Sequence, residues 1–400
     1  MTDAWQIRAA RRVPMRVQIK SLDAAVKGRT EPESRLASAS ETLRLAVSGR
    51  VEAGPRPDLF LEINDETRKA REALHGKVEA ARGFPIGRLR LENVYVAGHE
   101  GAILDPVNEA CWTGMTAGWP EEAALKRLKE FDFARQAGVS HFVLDDFRTL
   151  ADKGLSLDRV ERAAVLTGPG GRIYGHWLID VLPRLDHYLE DTLEPGTLYL
   201  TNPLKPFMRE ILTAVGADWL ALRDYHPSRI HAVDELIIET LPRHFHVVQA
   251  SRLHAGLERL EHGLPAVADT GIEPARKIYV SRARWQRRTL VNGVEIEAYL
   301  AGRGWRVVHP ETLTVAEQRA LFSCAEIVLG EDGSGLHNTL FSPPGARLLV
   351  INLGRSNLFH ASLSDIKEQH IAYIDAEPNG AKGWHLPIDR LADTLAEVDR

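Results

Sequence analysis

Ile327-Val328-Leu329-Gly330-Glu331-Asp332-Gly333-Ser334-Gly335-Leu336-His337-Asn338 is the stretch on which the reading of this chain turns. A short β-branched run enters a glycine-rich turn, and the turn opens a helical stretch from Leu336. Such a junction can cradle a phosphate, because the first N–H groups of a helix lack intrahelical partners and sit at the positive end of its dipole. Pro343-Pro344-Gly345 then stops the helix after a few turns. Gly330, Gly333 and Gly335 do not form the dinucleotide fingerprint G-x-G-x-x-G, so taken alone the turn is a weak signal. Any βα loop can require glycine for close packing.

Outward from this junction the pattern repeats. Strands are expected at Lys277 to Ser281, Trp305 to His309, Ile327 to Gly330, Leu348 to Asn352 and Ile371 to Ile374. Helices are expected at Gly293 to Ala301, Thr314 to Cys324, from Leu336, and at His360 to Lys367. Repeated βα units imply a parallel sheet, with loop chemistry at the carboxyl ends of its strands. Directly after the first of these strands comes Ser281-Arg282-Ala283-Arg284-Trp285-Gln286-Arg287-Arg288. Charge runs are commonly solvated faces. This one begins at a strand's carboxyl end and is all arginine, whose planar fork binds phosphate oxygens in pairs. Arg282, Arg287 and Arg288 are therefore candidate anion ligands, together with Gly333, Ser334, Gly335, Leu336, His337 and Asn338.

At 400 residues and 44.5 kDa the chain exceeds one ordinary core, and two α/β domains with an appendage are expected. Residues 1–85, rich in Arg, Glu, Ala and Ser, read as a mostly helical N-terminal extension. Residues 86–262 read as a first α/β domain, with strands at Leu91 to Ala97, Ala102 to Leu104, His141 to Leu144, Ala163 to Leu166 and Thr197 to Leu200, and helices at Glu121 to Gln136 and Lys205 to Val215. The turn-rich residues 263–276 read as a linker, and 277–400 as the second domain.

A net charge of −5 and a pI near 6.4 argue against general nucleic-acid binding. Two cysteines, Cys111 and Cys324, suggest neither a metal knuckle nor a disulfide framework, and a cytoplasmic location is the simplest expectation. No apolar run reaches the roughly 20 residues of a membrane span, nor is there a secretion signal's apolar core. The basic, partly apolar stretch Met1 to Lys20 could lie on an anionic membrane surface, or pack as an ordinary chain end.

A second constellation is Tyr174-Gly175-His176-Trp177-Leu178-Ile179-Asp180-Val181-Leu182-Pro183-Arg184-Leu185-Asp186-His187, preceded by Gly168-Pro169-Gly170-Gly171. Helical spacing puts His176, Asp180, Arg184 and His187 on one face and the apolar residues on the other. His176 and Asp180 read as a base and a carboxylate that could orient it, or as a buttressing pair. Pro183 removes a hydrogen bond to the Ile179 carbonyl, so a kink or a late helix start is expected.

These blocks together resemble glycosyltransferase family 61. They are Gly175-His176-Trp177-Leu178 with Asp180 and Pro183-Arg184-Leu185, then Tyr279-Val280-Ser281-Arg282, Arg287-Arg288 and Asn292, then Gly330 to Asn338 with Phe341 and Pro343-Pro344-Gly345. The resemblance covers about Leu91 to Ile374. It implies a GT-B-like fold of two Rossmann-like domains facing across a cleft, and inverting transfer from a nucleotide sugar held mainly by the C-terminal domain. A UDP-linked donor as co-substrate, a saccharide or lipid-linked saccharide acceptor, a role in surface or capsular polysaccharide biosynthesis, and no metal are the accompanying expectations. His176 or Asp180 would be the base. The chain departs from the family where Asp332 replaces a common His, and where Asn292-Gly293 replaces a common Asn-Glu. Asp332, at the turn itself, is carried as a third candidate catalytic residue. The alternatives are a non-catalytic sugar- or nucleotide-binding relative, or a pyruvyl or phosphosugar transferase.

Overall fold

The computed structural model describes residues 15–21, 33–35, 43–50, 56–61, 63–82, 85–97, 101–105, 110–113, 134–135, 141–144, 156–168, 170–190, 193–226, 229–244, 246–285, 290–354, 357–380 and 383–398. The chain divides into two compact units: residues 1–51, 83–206 and 216–244 form the first, and residues 52–82, 207–215 and 245–400 the second. Residues 263–276, expected as a linker, lie within the second unit.

The first unit is built on one twelve-stranded sheet. Its strands are β1 (Met15–Ser21), β2 (Glu33–Arg35), β3 (Leu43–Arg50), β4 (Pro85–Ala97), β5 (Ala102–Asp105), β6 (Ala110–Thr113), β7 (Ala134–Arg135), β8 (His141–Leu144), β9 (Ser156–Val165), β10 (Leu198–Thr201), β11 (Leu222–Asp224) and β12 (Arg229–Glu239). Four of them form a parallel group in the order β11-β10-β9-β12. In chain order this is 3-2-1-4, so the strand order reverses between β9 and β12. A crevice opens at such a point outside the carboxyl ends. β4 closes the group antiparallel to β12, with Val233 opposite Val94 and Leu236 opposite Leu91.

The expected helical extension over residues 1–85 is corrected. Among the described residues of this region β1, β2 and β3 are strands, and Asp65–Ala81 is an α-helix. Met15-Arg16-Val17-Gln18-Ile19-Lys20 and Leu43-Arg44-Leu45 alternate apolar and polar residues with period two, a strand signal hidden beneath the high charge. The helix expected over Glu121 to Gln136 falls outside the described residues apart from Ala134–Arg135, which is strand.

In the second unit five strands are all parallel: β13 (Lys277–Val280), β14 (Arg306–Val308), β15 (Ile327–Glu331), β16 (Arg347–Asn352) and β17 (His370–Asp375). Their order, β14-β13-β15-β16-β17, is 2-1-3-4-5 in chain order, which puts the reversal between β13 and β15. One sheet face, including Tyr279, Leu329, Leu349, Ile351 and Ile374, packs on Ile296 and Leu300 of helix Gly293–Ala301 and on Leu391 and Leu395 of helix Ile388–Val398. The continuous apolar run of β16, Leu348 to Ile351, fits a strand buried on both faces, with all but its first residue sequestered. Helix Val315–Phe322 starts where expected because Thr314 and Glu317 form a reciprocal capping box.

The Asp65–Ala81 helix belongs to this second unit. Asn64 caps it, accepting from the Thr67 amide at 2.9 Å. Thr67 Oγ1 in turn accepts from the Tyr373 amide at 2.9 Å, and the Leu61 amide donates to the Ile371 carbonyl at 2.8 Å. Phe60 makes a parallel bridge to Ile371, so an N-terminal segment covers the β17 edge of a sheet whose strands come from residues 277–375.

Candidate active site

Both reversal points carry the residues singled out in the sequence. In the second unit β13 delivers Ser281 and Arg282 beside the Glu331-Asp332-Gly333 end of β15. Ser281 is buried; its hydroxyl donates to Glu297 Oε1 at 2.6 Å and accepts from the Ala283 amide at 3.1 Å, which locks the turn that presents Arg282. The Arg282 guanidinium stands 5.8 Å from the Trp285 ring centroid and against Gly333, where any β-carbon would collide with Nη1. Gly330 is needed for another reason: a β-carbon there would lie 2.8 Å from the Val280 carbonyl oxygen and 2.9 Å from Leu336 Cδ2. The turn and the arginine are thus built as one piece.

The helical stretch after the turn is the 3-10 helix Ser334–Phe341, with Gly333 at its N-cap. Gly333, Ser334 and Gly335 are half-buried, while Leu336, His337 and Asn338 are buried. The exposed opening of the helix is therefore Gly333-Ser334-Gly335. The other three face inward: Leu336 is core, the His337 ring sits edge-on to His360 at 5.3 Å, and Asn338 Nδ2 donates to Gln318 Oε1 at 2.7 Å and the Gly335 carbonyl at 3.1 Å. Arg287 and Arg288 lie outside the described residues.

Two acidic side chains flank this turn, and both are sequestered. Asp332 is buried, and its Oδ1 accepts from Asn357 Nδ2 at 2.9 Å and lies 3.2 Å from His360 Nε2. Glu331 is 1% exposed; it accepts from the Tyr279 hydroxyl at 3.3 Å and the Arg282 amide at 3.4 Å. Burial pushes its carboxyl up to about 7, although backbone donors, the Arg282 charge and the Tyr279 hydroxyl all pull downward. His360 and Glu331 were not singled out from the sequence. A glutamate ending an otherwise apolar strand was the available signal for Glu331.

In the first unit the helix after β9 carries His176 and Asp180. It begins as Tyr174–His176, widens into a π-helical turn over Trp177–Val181, and continues as Leu182–Glu190. The π turn lies directly before Pro183, which cannot donate, and in it the Leu182 amide reaches back five residues to the Trp177 carbonyl. This is the form that the expected kink takes.

His176 Nδ1 lies 2.7 Å from Asp180 Oδ2. Asp180 is buried and doubly held by Arg243, with Nε to Oδ1 at 2.6 Å and Nη2 to Oδ2 at 3.0 Å. Burial would raise the Asp180 carboxyl, but the Arg243 charge and the hydrogen bonds from His176 and Arg243 hold it well below the usual carboxylate range. An ionised carboxylate only accepts, so Nδ1 carries a proton and Nε2 is the basic nitrogen of neutral His176. The His176 side chain is 34% exposed, which leaves it solvent access. Gly170, with φ +82°, packs over the ring, and a β-carbon there would lie 3.0 Å from Nε2.

Arg184 and His187, expected on the same polar face, instead serve the end of β12. Arg184 Nε donates to the Glu239 carbonyl at 2.8 Å, and His187 Nδ1 meets Glu239 Oε2 at 2.6 Å, while Arg88 pairs with Oε1 of the same carboxylate. Arg243 was missed in the sequence. Its signal was an arginine shortly after the end of β12, in Leu241-Pro242-Arg243.

Among the described residues no group of three or more His, Cys, Asp or Glu side chains is arranged to hold a metal ion. Nor is any described helix long and apolar enough to cross a membrane.

Each unit thus presents its candidate residues at a reversal of strand order, Arg282 and the glycine turn in the second and the oriented His176 in the first. Residues 174–349 match the family model described as Glycosyltransferase 61. The match runs from the first residue of the His176 helix into β16 and so takes in both constellations. The matched segment is thus similar to glycosyltransferase family 61. No curated protein matches the chain.

Proposed function

We propose that this chain is an inverting glycosyltransferase that moves a sugar from a UDP-linked donor to a saccharide or lipid-linked saccharide acceptor in surface or capsular polysaccharide biosynthesis. The observation that carries this reading is the contact of Arg282 with Gly333 at the reversal point of the parallel sheet, inside the family-matched segment. The second unit would hold the donor diphosphate on Arg282 and on the Ser334 and Gly335 amides that open the 3-10 helix. The first would supply the base, the division of labour of a GT-B enzyme.

Cleavage of the bond between the anomeric carbon and the diphosphate oxygen builds negative charge on the leaving group, and a fixed guanidinium and amides meet that charge. The acceptor oxygen attacks from the opposite face of the sugar and gives its proton to His176 Nε2. Asp180, tied to Arg243, keeps the imidazole in the required tautomer and stabilises the imidazolium that forms. On this reading Asp180 orients and His176 takes the proton. Asp332, turned toward Asn357 and His360, supports the turn from behind. The reaction runs without a metal ion, in the cytoplasm, with the basic N-terminal stretch available for peripheral membrane contact.

Arg282→Ala tests the reading. Nucleotide affinity is expected to fall about ten- to a hundredfold, the worth of a charge-assisted phosphate contact, with little rescue by lysine. Unchanged affinity in a folded variant would sink the assignment. Thorough chelation is expected to leave turnover within about twofold, since loss of a metal's Lewis-acid contribution would be far larger.

A further inference from the structure

Glu331 has no part in the mechanism above, yet it lies directly behind the arginine that the mechanism needs. It is the last residue of β15, 1% exposed, at the reversal point itself. Among the described residues the cation that acts on it is Arg282, whose amide donates to Oε1, and its other oxygen accepts from Tyr279 on the neighbouring strand β13. The remaining titratable groups nearby are held by other partners. Glu297, which also acts on the Tyr279 hydroxyl, is bonded to Ser281 and lies 3.4 Å from His309 Nε2. Asp332, the next residue along, is turned toward Asn357 and His360.

Against burial, a carboxylate there is favoured by backbone donors, its own amide and that of Arg282, by the Arg282 charge and by the Tyr279 hydroxyl. A diphosphate docked on Arg282 would draw on that same positive charge and bring negative charge of its own. We propose that Glu331 is a positioning residue for Arg282 that takes up a proton from solvent when the donor diphosphate binds, so that donor capture by this chain is coupled to protonation. The inference rests on the reading of Arg282 as the diphosphate ligand. Its carboxyl, pushed up by burial to about 7, is poised so that both forms are populated in the free protein near neutral pH. The sign follows. Below that value Glu331 is neutral and leaves Arg282 to the phosphate; above it the carboxylate competes, and nucleotide binding weakens as pH rises.

The experiment is isothermal titration of the full chain with UDP, GDP, CDP and ADP, in two buffers of different ionisation heat. A pH of about 7.5 lies above the second ionisation of a terminal phosphate, near about 6. For the tightest binder, the buffer dependence counts protons. The expected result is net uptake approaching one proton in the wild type, none in Glu331→Gln, and a wild-type Kd rising by up to about tenfold per pH unit where the variant's stays flat. Proton release, no proton exchange in the wild type, or equal uptake in a folded Glu331→Gln would overturn the proposal. The wild-type proton count alone decides the sign if the variant does not fold. Failure of every nucleoside diphosphate to bind, or undiminished binding by Arg282→Ala, would instead overturn the functional reading and take this inference with it.

Discussion

Asp180 shows how a single residue's role is settled by what surrounds it. On its spacing from His176 it could be a base or an orienter; the two hydrogen bonds from Arg243 favour its ionised form and make it an acceptor. Its folded carboxyl is depressed, so its contribution to stability is complete above the unfolded value of about 3.9 and is lost as pH falls through the lower folded value. Arg243→Met leaves that carboxylate buried beside His176 alone. We expect it to cost about 3–5 kcal/mol in urea unfolding at neutral pH, with much of the loss recovered in an Asp180→Asn/Arg243→Met double variant. If Arg243→Met proves as stable as the wild type, the pair is not what holds Asp180. His176→Ala is a different experiment, because the ring is partly exposed and Arg243 still holds Asp180. Turnover should drop by roughly a hundredfold or more with nucleotide affinity nearly unchanged. A parallel loss of both would argue for a buttress.

At the scale of the element, the glycines of the β15 turn do separate jobs. Gly330 lies where a β-carbon would meet the Val280 carbonyl and β-carbon, atoms of a neighbouring strand that cannot move independently. Gly330→Ala is therefore expected to destabilise the second unit by roughly 1–3 kcal/mol through overpacking. At Gly333 the obstructing atom is the far end of the Arg282 side chain, which can swing away. Gly333→Ala should keep most of the stability and lose nucleotide affinity, measured by thermal unfolding and by titration on the same samples. The opposite outcome, a stability loss at Gly333 with binding intact, would mean that Arg282 is a packing residue. The His176 helix makes a related point. Its π turn before Pro183 keeps the helix continuous, so His176 and Asp180 stay hydrogen-bonded while the proline is accommodated.

At the scale of the whole molecule, the units are not consecutive pieces of chain. The five parallel strands come from residues 277–375, but the β17 edge is covered by Phe60 and Leu61, and Thr67 bonds the Tyr373 backbone from a helix more than 300 positions earlier. Glu210, in the 207–215 segment of the same unit, accepts from the Val315 and Ala316 amides at 2.8 Å each. Residues 245–400 expressed alone should therefore fail to unfold cooperatively, since an open sheet edge and a helix start are left without partners. Restoring 52–82 as a fused segment should recover part of the transition. A cooperative, monomeric 245–400 fragment of wild-type-like stability would refute this.

The sequence by itself determined the α/β class, the βα alternation from residue 277 onward and the two constellations, because these rest on local periodicity and on turn chemistry carried by neighbouring residues. Helix Gly293–Ala301 and the strand at Ile327 are readable in this way, since apolar spacing and glycine punctuation need no distant partner. The strands β1 and β3 were also legible in their period-two pattern, but a high local charge and few turn signals favoured helix. Tertiary structure decided the rest. The reversal of strand order between β13 and β15 comes from the spatial path of the crossovers, which periodicity does not encode. Arg243 reaches Asp180 across 63 residues, and Arg282 meets Gly333 across 51, so the charges that set the state of each site arrive from separate strands. Glu331 reads as one acidic residue among 55 in the sequence; burial behind Arg282 is what turns it into a titrating group.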